Sequence, residues 1–311
     1  MAFILNGDYE LYVRHIPSVR PTRKAIIFFN SRSLCVESSM GISMATVSYA
    51  DYLAESGVET FLVDMRGYGL STSISEQVAE SVQSIANPIS IRDSFSDLVA
   101  AVNYVKDQLG PDVEITLNCF SQLGNLALYF DELYPGLVKK MFIFSSGAYK
   151  VLPTGPPLRK VTFVKHTDPD IPYDIVSIDS IQERFATAQP PGHDFREPLW
   201  AEQALANLKQ YHRSFDHDTG TWKIQKITRA WFDSLLQPMF NIRYQIQTSA
   251  DILFVNSEFD SEYPEWRARR LYNAIAANNK EFRTLPNATH LSIWEKSRET
   301  LYKWTADFVL Q

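Results

Sequence analysis

Cysteine is scarce: the 311-residue chain contains two, Cys35 and Cys119. A scaffold stapled by disulfides is therefore excluded, and this usage fits a cytoplasmic location. Charge of one sign is not concentrated anywhere. The formal net charge is −6, and no run of lysine and arginine forms the basic stripe that nucleic acid requires. Long hydrophobic runs are missing as well. Nowhere do about 18 uncharged apolar residues follow one another, so no membrane-crossing helix is expected. The opening residues MAFILNGDYE lack the basic leader and long apolar stretch of a secretory signal, so export is not expected. There are no internal repeats. What remains is the composition of an ordinary globular protein, 45% hydrophobic and 21% charged. Such a chain should bury a full core without metals, cofactors or disulfides. Its length suits one large α/β domain with an insertion, or two ordinary domains.

Short apolar runs alternate with amphipathic ones over residues 1–148. Strands are expected at 10–16, 24–30, 60–64, 114–118 and 140–144. Their residues are apolar on both faces, as in a parallel sheet covered by helices. Helices are expected at 43–55 and 91–108, with a third following Ser121. This alternation predicts a mostly parallel, doubly wound sheet. It fails over residues 149–247, where prolines and aromatics cluster. Helical patterns there fall at 197–211, with Pro198 in the first turn, and at 227–236. The segment reads as a mainly helical insertion. Strand–helix alternation resumes over 248–311, with strands at 252–256 and 282–285. Helices are expected there at 264–277 and 293–309.

Three loops beyond predicted strands carry reactive side chains, the placement expected of active sites in open parallel sheets. In Ile115-Thr-Leu-Asn-Cys-Phe-Ser121-Gln-Leu-Gly124, a buried strand runs straight into a helix with Ser121 at the junction. A nucleophilic serine needs that sharp turn, which lifts its hydroxyl clear and aims the next N–H at a developing oxyanion. Asp260 follows the run Ile252-Leu-Phe-Val, and an acid there can orient a histidine. His290 follows the last short strand. The bland alternatives are a helix-capping serine and a loop histidine without a role. Glu258, two residues before Asp260, is the rival acid.

The order Ser121, Asp260, His290 resembles that of the α/β-hydrolases. The run Asp64-Met-Arg66-Gly67-Tyr68-Gly69-Leu-Ser71 is similar to the D-x-R-G-x-G-x-S turn of that family. The resemblance covers both ends of the chain and implies an α/β-hydrolase fold with a cap formed by residues 149–247. It also implies an oxyanion hole built from the backbone N–H groups of Gln122 and Arg32. Two positions depart from the family pattern. The elbow has Leu123 where a small residue is usual, with Gly124 one place later. Asn30-Ser31 replaces a usual His-Gly. An altered turn or a displaced helix is expected from the first.

The function implied is hydrolysis of an ester, thioester or lactone of a moderately apolar small molecule; the cap aromatics are expected mainly to form the cap's own core, with a few facing the serine as an apolar pocket wall. Acyl transfer or cyclisation would use the same triad. A non-catalytic ligand-binding protein is the rival from another class. Cys119 reads as a packing residue. His212-Arg-Ser-Phe-Asp216-His217-Asp218 reads as a polar turn rather than a metal site. The Arg32 side chain is a solvated loop arginine or a contact for a substrate anion. Self-association as a homo-oligomer is left open.

Overall fold

The computed structural model describes residues 1–43, 47–73, 90–148, 173–225 and 245–311. Chain order begins β1 (Ala2–Asn6), β2 (Tyr9–Ile16), β3 (Lys24–Phe29), α1 (Tyr49–Glu55), β4 (Glu59–Val63), α2 (Ile91–Leu109), β5 (Glu114–Phe120), α3 (Gln122–Leu133) and β6 (Lys140–Phe144). Four elements follow: β7 (Tyr173–Ser177), α4 (Ile178–Ala188), α5 (Trp200–Tyr211) and β8 (Thr221–Gln225). The chain closes with β9 (Ile246–Gln247), β10 (Asp251–Ser257), α6 (Glu265–Ala274), β11 (Ile275–Ala276), β12 (Lys280–Leu285), a 3-10 turn at Ser292–Trp294 and α7 (Arg298–Leu310).

Eight strands form one sheet in the order β1-β2-β4-β3-β5-β6-β10-β12. The first two pair antiparallel at one edge, and the other pairings after β2–β4 are parallel. The middle strands are apolar on both faces because helices cover both: β4 and β6 are buried at every position. On one face α1 and α7 meet, with Tyr49 stacked 4.1 Å from Tyr302 and bonded to Thr305 at 2.5 Å. Helix α2 starts at a reciprocal cap between Ser90 and Asp93 and buries Phe95, Leu98, Val102 and Val105. This is the mostly parallel sheet that the alternation predicts.

Several expected boundaries move, each for a local reason. The edge strand β1 escapes the sequence reading because it is short and leaves Phe3 and Leu5 exposed. Helix α1 begins at Tyr49, where the Ser48 hydroxyl accepts the Asp51 N–H. Residues 44–46 of the expected helix lie outside the described residues. Pro198 lies ahead of α5 rather than in its first turn. Helix α6 stops at Ala274 because Ile275 and Ala276 leave it to pair with β9. The expected closing helix is broken: a 3-10 turn comes first, and Glu295 turns inward before α7 begins. The expected helix at 227–236 lies outside the described residues.

The described part of the 149–247 segment is less helical than expected, since β7 and β8 pair as an antiparallel ribbon. It lies against the loops that leave the sheet. The Trp222 indole donates to Ser33 O at 2.7 Å, Arg213 N–H to Gly69 O at 2.9 Å, and Glu197 N–H to Trp294 O at 3.0 Å. Trp200 stacks on Trp294 and Phe185 meets both edge-on, with ring centres 4.9–6.3 Å apart, binding α4 and α5 to the 3-10 turn. Such pairs contribute roughly 0.5–1.5 kcal/mol each beyond area burial. Among the described residues no helix is long and apolar enough to cross a membrane.

Candidate active site

Strands β5, β10 and β12 run parallel, so their carboxyl ends open on one edge of the sheet. That edge brings the three loops together. Ser121 sits between β5 and α3 at φ 58, a left-handed conformation that costs a β-carbon residue energy. Its side chain caps nothing in the helix, which removes the bland reading. The turn is held instead by the Ser121 N–H, which donates to Phe144 O at 3.0 Å.

The departure at Leu123 is resolved by a shift of one residue. Leu123 stays partly buried against the core, and Gly124 takes the tight place. A β-carbon on Gly124 would meet Ser146 Oγ at 2.6 Å and Ile143 Cγ2 at 2.8 Å. The helix therefore packs closely without a small residue directly after Gln122. Gly124→Ala is expected to lower stability by about 1–3 kcal/mol through overpacking. Denaturant unfolding checks this, and an unchanged midpoint would contradict the close packing. Cys119 is buried on β5 opposite Ile143 of β6, as a packing residue should be.

His290 is 1% exposed and stands between the rings of Phe120 and Tyr263, at 5.3 and 5.6 Å. Its Nδ1 lies 3.0 Å from Asp260 Oδ2, and its Nε2 lies 3.0 Å from Ser121 Oγ. Asp260 is fixed from behind, since its Oδ1 accepts the N–H groups of Glu262 at 2.9 Å and Tyr263 at 2.8 Å. The rival Glu258 is exposed and turned away, and its carboxylate accepts the Asn287 N–H at 3.0 Å. A further carboxylate, not singled out by the sequence, steadies the histidine loop. Glu295 is fully buried and accepts the Thr289 N–H at 2.7 Å and the Thr289 hydroxyl at 2.6 Å. That bonding is why the chain turns there instead of continuing as helix.

A second unforeseen carboxylate reaches the imidazole. Glu262 Oε2 lies 3.6 Å from His290 Nε2, while Glu262 Oε1 accepts Nε and Nη2 of Arg184 on α4. Burial pulls the His290 pKa down, but Glu262 and Asp260 outweigh it and leave it above the ordinary histidine value. Burial pushes the Glu262 carboxyl up, and His290, Arg184 and Arg32 together draw it below its ordinary value. Were His290 the general base it would work deprotonated, and its raised pKa would place the acidic limb of kcat/KM at higher pH. Glu262→Gln removes the strongest raising influence and should shift that limb to lower pH. A pH profile of kcat/KM tests this, and a limb that stays put would contradict it.

The loop after β3 needs no glycine. The Asn30 carboxamide accepts the Met65 N–H at 2.8 Å and donates to Ser31 O at 3.1 Å. Neither Asn30 nor Ser31 has a positive φ. The Asp64–Ser71 turn braces the same region: Asp64 Oδ1 accepts the Val36 N–H at 2.8 Å, and Arg66 is forked onto Asp97. Gly69, at φ 53, is required because a β-carbon there would meet Asp64 Oδ2 at 1.9 Å. Asp216 Oδ1 accepts the N–H groups of Asp218 and Thr219 at 2.9 and 3.2 Å, a polar turn.

A cavity of about 80 Å³ opens over Ser121. Gln122 and Arg32, the two expected oxyanion donors, both line it. Among the described residues the cap brings no aromatic side chain to this wall; Trp231, Phe232 and Phe240 lie outside the described residues. Helix α4 contributes Ile181 and Arg184, and Glu262 adds a second charge beside Phe120, Leu291 and Trp294. Phe185, Trp200, Tyr211, Phe215 and Trp222 are not part of it; the first two pack on Trp294 from the far side.

Comparison with known proteins identifies the family and the fold. The family described as serine aminopeptidase, S33, matches residues 41–297. The chain belongs to that family. No curated protein sequence matches it. Solved structures share its fold across nearly the whole length. A meta-cleavage product hydrolase from Pseudomonas fluorescens IP01 aligns with a TM-score of 0.62 at 10% identity, over 99% of this chain and 97% of that one. A serine hydrolase from Cycloclasticus zankles gives 0.62 at 15%, over 99% and 96%. A monoacylglycerol lipase from Paleococcus ferrophilus gives 0.58 at 13%, over 97% and 98%. This S33 family member thus has the α/β-hydrolase fold, and at such identities the likeness carries architecture alone.

Proposed function

We propose that the chain is a serine hydrolase that cleaves an ester, thioester or lactone of a small molecule through an acyl-enzyme on Ser121. The observation that carries this reading is the hydrogen-bonded line Ser121 Oγ, His290 Nε2, His290 Nδ1, Asp260 Oδ2, with both contacts at 3.0 Å. Asp260 keeps the proton on Nδ1, which leaves Nε2 free to accept the serine proton. The Ser121 oxygen attacks the acyl carbonyl, and the oxyanion is held by the N–H groups of Gln122 and Arg32. The imidazolium then gives its proton to the leaving group. Water enters, loses a proton to His290, and releases the acid while Ser121 recovers its hydrogen.

Residues 149–247 serve in this reading as the cover of the site. Support comes from α4, which supplies Ile181 and Arg184 to the cavity wall. The substrate is a small molecule, and no cofactor enters any step. A panel of p-nitrophenyl esters and thioesters of graded acyl length tests the proposal. Turnover by the wild type that disappears in Ser121→Ala supports it; turnover that survives overturns it.

A further inference from the structure

Acyl transfer at Ser121 makes no use of the Arg32 side chain, although Arg32 lines the same cavity and its charge acts on Glu262 in the cavity wall. Three fixed charges line the described wall: Arg32, Arg184 and Glu262. Arg184 and Glu262 are forked onto each other and cancel. One positive charge is left over. Arg32 lies near enough to Glu262 to favour its ionised form, yet among the described residues no carboxylate comes within ion-pair reach of it. Its Nε–H is shut off from solvent and has no hydrogen-bond partner. Buried donors are nearly always paired, so an unsatisfied guanidinium N–H on a residue of the cavity wall calls for an acceptor that the described residues do not supply.

We propose that Arg32 anchors a carboxylate on the acyl part of the substrate, which makes half-esters or half-thioesters of short dicarboxylic acids the preferred substrates. This rests on the acyl-enzyme reading above. A carboxylate is planar and carries one charge, which a single guanidinium matches with two parallel N–H···O bonds. A dianionic phosphate would need a second free cation, and Arg184 is already committed to Glu262. The backbone N–H of Arg32 is the expected donor to the scissile carbonyl oxygen. Its own side chain therefore sets the spacing between carbonyl and anion at a few bonds.

The test compares phenyl hydrogen succinate with phenyl levulinate, a neutral ester of the same acyl length, in the wild type, Arg32→Met and Arg32→Lys. The quantity read is the ratio of the two kcat/KM values. Any effect of substitution on the backbone donor touches both esters and cancels. The wild type should prefer the succinate half-ester at least tenfold. Arg32→Met should cut that preference by about 10–100-fold, the scale of losing hydrogen bonds to a charged group. Arg32→Lys should keep part of it, because charge remains without the fork. An unchanged ratio in Arg32→Met, or a wild type that prefers levulinate, overturns the proposal. A failure of the acyl-enzyme reading is seen separately, as turnover of both esters that survives Ser121→Ala. A second measurement does not depend on turnover: calorimetric titration of the Ser121→Ala protein with monomethyl succinate. Binding that Arg32→Met weakens tenfold or more supports the carboxylate site; no binding, or binding that Arg32→Met leaves intact, overturns it.

Discussion

Ser121→Ala and His290→Ala are each expected to lower kcat on an activated ester by about 10⁴-fold or more, and the double substitution by no more than either alone. The reason is that the two side chains act as one unit. Ser121 Oγ has its hydrogen-bond partner in His290 Nε2 at 3.0 Å, and without that base its hydroxyl is a weak nucleophile at neutral pH. Removing the base therefore silences the nucleophile, and removing the nucleophile idles the base. The residual rate reports the oxyanion donors and substrate binding, which neither substitution touches. Ser121→Ala should unfold near the wild-type midpoint, since Ser121 is half-buried and makes no helix cap. Multiplicative losses in the double variant would show that the residues work independently and would count against the proposed mechanism.

Asp260→Asn is expected to cost about 10⁴-fold in kcat with little loss of structure. The local bonding explains why so small a change is so damaging. Asp260 Oδ1 is pinned by two backbone N–H groups, from Glu262 and Tyr263. An asparagine must keep its carbonyl oxygen there, because its NH2 group cannot accept those donors. The NH2 is then forced toward His290 Nδ1, which must accept rather than donate. The ring proton moves to Nε2, and the nitrogen facing Ser121 can no longer take the serine proton. Steady-state kinetics beside a thermal melt check this. Activity within tenfold of wild type would mean that Asp260 does not set the tautomer.

Much of this site was legible in the chain because its chemistry sits at strand ends. Ser121, Asp260 and His290 each follow a short apolar run, and a parallel sheet brings such ends to one edge. Gln122 and Arg32 are expected beside the serine from the resemblance to the α/β-hydrolases, and both line the cavity. The Arg184–Glu262 pair had no comparable signal. Its partners are 78 residues apart, and Arg184 lies in a segment without strand–helix alternation, so only tertiary packing joins them. Glu295 was hidden for a similar reason. In sequence it looks like a surface position of a closing helix, whereas its bond to Thr289 breaks that helix and holds the loop of His290. The elbow shows a third kind of limit. Leu123 signalled an altered turn, but only the approach of Ser146 and Ile143 reveals that Gly124 does the work of the missing small residue. The aromatic rings of residues 173–225 pack on Trp294 and on one another, the cap core expected of most of them, while Trp231, Phe232 and Phe240 lie outside the described residues.

The central claim is that Ser121 is activated by His290. The most direct measurement is labelling of the folded protein by a fluorophosphonate, with mass spectrometry of the modified peptide. The account predicts one phosphonyl adduct, located on Ser121, formed rapidly in the wild type, absent in Ser121→Ala and strongly slowed in His290→Ala. A folded wild-type protein that stays unlabelled, or an adduct at any other residue, would contradict it.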